Sequence, residues 1–199
     1  MWVEKDEKQS VFFLPALPIL GQSLFFRNWL IKKNTGRADD RVELLDVNPR
    51  LFAYYIWCSQ GGEFQVDEKE TPPSNEYNIF NRLYAFAERM QDSVGKEKAI
   101  DAVLARYRKL DFKGERTTPD ADRVNYVYRA TPGPCGMRRL MVDIYAWELP
   151  PDWTESPMGD DRFPRLFSRE VMDRVVEMWV GKEADATRLL MCLPSHYYD

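Results

Sequence analysis

Few residues of this chain could do chemistry, and the scarcest type is histidine, present once among 199 residues as His196. A nucleophile–base site needs a Cys or Ser beside an imidazole or similar base. Cys192 stands four residues before His196, a spacing that would bring both side chains to one helix face, but Pro194 interrupts the stretch. Two donors also fall short of a zinc shell. Cys58 and Cys135 lie far away, no C-x-x-C pair occurs, and three cysteines spell neither a disulfide framework nor a zinc knuckle. The pattern predicts no metal site and a reducing compartment.

Carboxylate neighbours such as Asp67 and Glu68, or Asp160 and Asp161, would serve acid–base chemistry only if burial shifted their pKa values, and both pairs fall in polar, loop-like stretches. Gly61-Gly62 is followed by Glu63-Phe64, without the Lys-Ser/Thr or the helix start that a phosphate cradle requires. Adjacent Arg138 and Arg139 could grip carboxylates bidentately. The preferred reading pairs one with Asp143 or a neighbouring Glu and leaves the other in solvent. Tyr54, Tyr55 and Trp57 read as the core and rim of one helix, and aromatic rims are where interface hot spots tend to lie. With no catalytic constellation and no cofactor loop, the expectation is a binding protein, not an enzyme, with no cofactor.

Charge narrows the partners. The 28 Lys+Arg against 32 Asp+Glu leave a net −4, the wrong sign for a chain held on nucleic acid by phosphate neutralisation. Arg27, Lys32, Lys33 and Arg37 cluster, but Asp39 and Asp40 follow at once, so the group reads as a solvated helix end. The apolar run from Val11 to Phe26 is broken by Pro15 and Pro18 and preceded by the net-negative stretch Glu4 to Lys8, which suits neither a signal peptide nor a membrane span. Cytoplasm or nucleus is expected. A hydrophobic share of 44% is enough to build a core, and the length suits one domain with or without a sizeable appendage.

The elements that must position these residues follow from periodicity and punctuation. Trp2 to Leu14 reads as a hairpin turning at Glu4 to Lys8 and ended by Pro15. Leu17 to Ile31 reads as two short helices jointed at Gly21-Gln22-Ser23, and Val42 to Leu45 as a short strand. Asn48-Pro49 is a capped helix start, Leu51, Phe52, Tyr55 and Ile56 share a face, and Gly61-Gly62 is a left-handed stop. A loop through Pro72, Pro73, Ser74 and Asn75 leads to a helical hairpin, its first stripe Ile79, Leu83, Phe86, Ala87 and Met90, its joint near Ser93 to Gly95, its second stripe Ala99, Ile100, Val103, Leu104 and Tyr107. Further helices are expected from Thr118-Pro119, around Met137 to Tyr145, and after a Pro-rich break from Leu149 to Pro164, with Ser168 as a cap.

Strand pair, two short helices, strand, helix and helical hairpin within about 110 residues resemble, in order and size, the core of the BTB (POZ) domain. The local matches are Ile19-Leu20 with Ser23-Leu24-Phe25-Phe26, the run Val42 to Phe52, Tyr55 to Gly62, and Leu83-Tyr84-Ala85-Phe86-Ala87-Glu88-Arg89-Met90. Asn125-Tyr126-Val127-Tyr128 with Thr131, then Met137 to Tyr145, resemble the extension of many fungal BTB proteins. The resemblance implies an α/β (α+β, predominantly helical) fold: a BTB/POZ-like core over 1–110, its small sheet capped by helices, and an α-helical extension over 111–199. It implies a protein-interaction module whose partner-facing residues are Arg50, Tyr54, Glu63 and Phe64. Self-association as a homodimer and service as a substrate adaptor for a cullin-3 ubiquitin ligase follow from the same resemblance, and a transcription-linked scaffold is the alternative. Pro15 stands where the family often has a histidine, and no Glu lies between Asp46 and Glu63, where cullin-3 binders often carry one.

Overall fold

The computed structural model describes residues 2–5, 8–12, 16–36, 42–44, 46–62, 73–111, 113–148, 162–180 and 192–199. The chain is predominantly helical and divides into two compact units, one made of Met1–Gln65 and Arg82–Ala99, the other of Val66–Asn81 and Ile100–Asp199. Among the described residues no helix is long and apolar enough to cross a membrane.

In the first unit, β1 (Trp2–Lys5) and β2 (Lys8–Val11) pair antiparallel, and β3 (Glu43–Leu44) joins β1 in parallel, giving the order β2-β1-β3. The expected hairpin is present, but its ladder runs through Glu4, Lys5 and Lys8, where the sequence predicts the turn. Ladders are made by backbone groups, which polar residues supply as well as apolar ones. Helices α1 (Ala16–Gln22) and α2 (Leu24–Asn34) are jointed at Ser23, as expected. The Ser23 hydroxyl accepts from the Phe26 N–H and donates to the Met90 carbonyl at 2.7 Å, so the cap of α2 is also a long-range tie.

Helix α3 (Pro49–Ser59) starts where Asn48-Pro49 predicts: the Asn48 side chain accepts from the Arg50 N–H at 2.9 Å, and Pro49 takes the first turn, where its missing donor costs nothing. It ends before Gly61, whose φ of +92° is open to glycine and strained for other residues. Inward, Phe52 and Tyr55 meet Phe86 edge-on at centroid distances of 5.9 and 4.9 Å.

Helices α4 (Pro73–Arg89) and α5 (Ser93–Arg108) form the expected hairpin, and each begins in one unit and ends in the other. Two details differ from expectation. Pro73, Ser74 and Asn75 are the first turn of α4, not loop, because proline is tolerated at a helix start. The joint is Met90 to Asp92, with Gln91 at φ +51°, and Gly95 lies inside α5. A Cβ on Gly95 would come within 3.0 Å of both Ala87 Cβ and Asp92 Oδ2, so this glycine serves close approach and not a break.

Asp92 is fully buried. Its Oδ1 accepts from the Gly95 N–H at 2.9 Å, capping α5, while its Oδ2 accepts from the Tyr55 hydroxyl at 2.7 Å, anchoring α3. Burial first, then the neighbouring Asp92 charge, pushes the Tyr55 phenol well above its ordinary range.

In the second unit, α6 (Ala121–Ala130) is capped by Asp120, which accepts from the Arg123 N–H at 3.0 Å, two residues after the expected Thr118-Pro119 start. Helix α7 (Gly136–Glu148) follows Pro132-Gly133-Pro134 as predicted. Helix α8 (Arg165–Val180) begins three residues before Ser168, the expected cap, whose N–H instead donates to the Pro164 carbonyl at 3.1 Å within the first turn. Val124, Val127, Met137, Leu140, Met141, Ile144, Phe167 and Val171 are buried, and a 3₁₀ turn, Pro194–Tyr197, places the Tyr197 ring among buried groups.

Substituting Asp92→Ala leaves the Tyr55 hydroxyl and the Gly95 amide unpaired inside the first unit, at ~1–3 kcal/mol for each. The expected loss in urea unfolding is about 3 kcal/mol for Asp92→Ala and about 1.5 kcal/mol for Tyr55→Phe, with the double variant less destabilised than the sum. Additive losses would show that the two groups do not share a bond.

Candidate functional site

Helix α3 has a second face. Arg50, Ala53, Tyr54 and Trp57 recur at i, i+3, i+4 and i+7, which stacks them in one stripe. Arg50, Ala53 and Trp57 are exposed and Tyr54 is half-buried, while Phe52, Tyr55, Ile56 and Cys58 on the opposite side are buried. Two ties set this orientation. The Tyr55 hydroxyl on Asp92 holds the inner face in place, and Arg89 grips Asp46, just before the cap, with both carboxylate oxygens within 2.8 Å of Nη1. The Arg89 guanidinium holds the Asp46 carboxyl below its usual range.

Trp57 is the most unusual member. It is 59% exposed, yet its indole rests on backbone: a Cβ on Gly62 would lie 2.2 Å from Trp57 Nε1, and the Gly62 N–H donates to the Trp57 carbonyl at 3.0 Å. The glycine expected only to stop the helix therefore also makes room for the ring. Lys98 Nζ donates to the Cys58 carbonyl at the same helix end, and that carbonyl also accepts from the Gly61 N–H at 3.1 Å. An arginine and two aromatics on one preorganised stripe are the residue types that dominate binding energy at protein interfaces.

Of the residues expected to face a partner, Arg50 and Tyr54 are brought together one turn apart on this stripe, and Glu63 and Phe64 lie outside the described residues. Trp57 is expected on the rim of the helix but not among the site residues, although its i+7 spacing from Arg50 carries the signal.

Asp67, Glu68, Asp160 and Asp161 lie outside the described residues. Cys192 is half-buried and His196 exposed, and among the described residues no group of three ligating side chains could hold a metal ion. Arg138 and Arg139 divide differently from expectation. Arg138 is buried and donates to Thr131 Oγ1 at 2.8 Å and to the Tyr128 and Thr131 carbonyls, with its guanidinium 4.4 Å from the Tyr128 ring centroid. Arg139 pairs with Asp199 at 3.2 Å instead of standing alone. Asp143, the partner expected for one of them, accepts from Arg174 Nε and from the Tyr197 hydroxyl, each at 2.7 Å.

Cys58 reports on the orientation of α3. Burial pushes its thiol up to about 11, with Lys98 opposing the shift, so at pH 8 only about 0.1% would be the reactive thiolate. An aromatic disulfide reagent at that pH is expected to label Cys192 promptly and Cys58 slowly in the folded chain, and all three thiols in urea. Equal rates at Cys58 and Cys192 would place the inner face of α3 wrongly. Compared with protein-family models, curated proteins and solved structures, the chain finds no match.

Proposed function

We propose that the chain is a protein-interaction module of the BTB (POZ) type that binds a partner through the outer face of α3. The observation that carries this reading is Trp57, 59% exposed and seated on Gly62, in line with Tyr54 and Arg50. The order of elements supports it as well: two strands, two short helices, a strand, a helix and a helical hairpin, the order on which the resemblance rests. The mechanism is binding, and it calls for neither a cofactor nor a reaction. Desolvating the exposed part of an indole contributes about 2–4 kcal/mol, enough to make Trp57 the anchor of a modest interface.

The partner class proposed is a cullin-3 scaffold, with the chain as its substrate adaptor in cytoplasm or nucleus; a co-regulator recruited by a transcription-linked scaffold is the alternative. A second reading, self-association, is favoured by one specific observation. Leu24 and Ile31, two turns apart on α2, are large apolar side chains 45% and 56% exposed, on a helix whose only buried residue is Phe26.

Titration of the full chain with purified cullin-3 N-terminal domain is expected to saturate. Trp57→Ala should weaken it at least about thirtyfold. Gly62→Ala should weaken it while leaving the unfolding midpoint nearly unchanged, because an exposed ring can swing aside without opening the core. No binding at about 100 µM would sink the adaptor reading. Light scattering over a dilution series tests the second reading: a dimer whose mass falls to that of the monomer in Ile31→Glu supports it, and a monomer at every concentration overturns it.

A further inference from the structure

Segment 192–199 is held to the second unit in the manner of a bound peptide. Of its residues only Tyr197 is buried, while Leu193, Ser195 and His196 are exposed, Leu193 to 71%. Three successive side chains are each met by a separate group. Tyr197 donates its hydroxyl to Asp143 Oδ2 at 2.7 Å, Tyr198 donates to Asp101 Oδ1 at 2.6 Å, and the Asp199 carboxylate accepts from the Gly136 N–H at 2.9 Å and from Arg139 Nη2 at 3.2 Å. The backbone is met as well: Arg108 donates to the Cys192 carbonyl, and Arg139 Nη2 to that of Tyr197 at 3.4 Å. Every one of these receiving residues stands on α5 or α7.

The receiving helices are shaped for the segment. Gly136 opens α7, and an added Cβ there would fall 1.6 Å from the Tyr197 carbonyl oxygen. No left-handed backbone angle requires glycine at this position, so the close approach of the segment accounts for it. Asp143 is fixed through its other oxygen by Arg174 Nε at 2.7 Å. On one side the segment meets open space and not a packed layer: Cys192, His196 and Tyr197 form one wall of a cleft of about 670 Å³, which Val142, Trp147 and Glu170 line as well. One buried ring, a row of hydrogen bonds and an open flank are how a groove holds an extended peptide.

We propose that α5 and α7 carry a peptide-reading seat, that segment 192–199 fills it as an internal, displaceable ligand, and that the seat takes a Tyr-Tyr-acidic segment of a partner protein when its own is released. Both phenols are read through their hydrogens by carboxylates, so unmodified tyrosine is selected. Phenylalanine offers no donor, and phosphotyrosine sets a doubly charged group against Asp143 or Asp101. Covalent attachment gives the resident segment the advantage of an intramolecular competitor. No residue of α3 takes part, so the proposal stands or falls apart from the reading above.

The probe is the octapeptide Ser-Leu-Pro-Ser-His-Tyr-Tyr-Asp, amidated at its end and labelled with fluorescein at its start. Its polarisation is followed against the full chain carrying Tyr197→Ala, which removes the resident anchor and leaves every receiving residue in place. Saturable binding is expected, at least about tenfold tighter than to the unaltered chain, whose seat is filled. Peptides with phenylalanine or phosphotyrosine in place of the first tyrosine should bind at least about tenfold more weakly. Equal binding of the three peptides, or no saturation by about 1 mM chain, would overturn the proposal. Hydrogen exchange in the unaltered chain gives a second measurement, which decides alone if Tyr197→Ala does not fold. The Gly136 amide, bonded to the segment, is expected to be at least about tenfold less protected than the Leu140 amide deeper in the same helix, and Asp199→Asn should lower protection at Gly136 and not at Leu140. Equal protection of the two amides, set by global unfolding, would make the segment part of the core and contradict the proposal.

Discussion

A carboxylate with no access to solvent organises the first unit. Asp92 accepts from the Gly95 amide and from the Tyr55 hydroxyl, and two residues earlier the Met90 carbonyl accepts from Ser23. The cap of α2, the inner face of α3, the end of α4 and the start of α5 are therefore referred to one short stretch of chain. In a low-dielectric interior such a group is costly unless every lone pair is met, and met it locks its partners. The consequence for function is rotational. With Tyr55 fixed inward, a pitch of 3.6 residues turns Arg50, Ala53, Tyr54 and Trp57 outward. The proposed binding stripe thus follows from where a single tyrosine is held.

How far this could be read from the sequence depends on the range of the interaction involved. Asn48-Pro49 announces α3 because cap and proline act on their own neighbours, and Ser23 marks the α1–α2 joint for the same reason. Asp120 outcompetes the Thr118-Pro119 start by the same local chemistry, applied two residues later. The misreadings lie where the partner is distant. Gly95 looks like a hairpin break until Ala87 is seen across from it. Arg138 looks like a match for Asp143, five residues away, but the carbonyls of Tyr128 and Thr131 take the guanidinium, and Arg174 from another helix takes the carboxylate. Of the residues proposed to face a partner, the outward direction of Arg50 and Tyr54 was readable from helical phase, and so was that of Trp57. The role of Gly62 beneath its ring was not, since close approach leaves no trace in spacing.

The second unit shows a different economy of charge. Its 192–199 segment is drawn onto α7: a Cβ on Gly136 would fall 1.6 Å from the Tyr197 carbonyl oxygen, the Gly136 N–H donates to Asp199, and Tyr197 reaches Asp143. Polar anchors of this kind leave α7 with one wall packed and one wall open to the cleft. The proposed α3 surface differs in physics, offering an exposed aromatic ring for a partner to desolvate.

Engagement of a partner by the outer face of α3, as proposed, is open to site-specific photo-cross-linking. A benzophenone amino acid placed at exposed Ala53, between Arg50 and Trp57, and separately at exposed Arg129 on α6, would be irradiated with cullin-3 N-terminal domain. A covalent adduct is expected from position 53 and none from position 129. Binding that yields no adduct from position 53, or adducts from 129 alone, would contradict it.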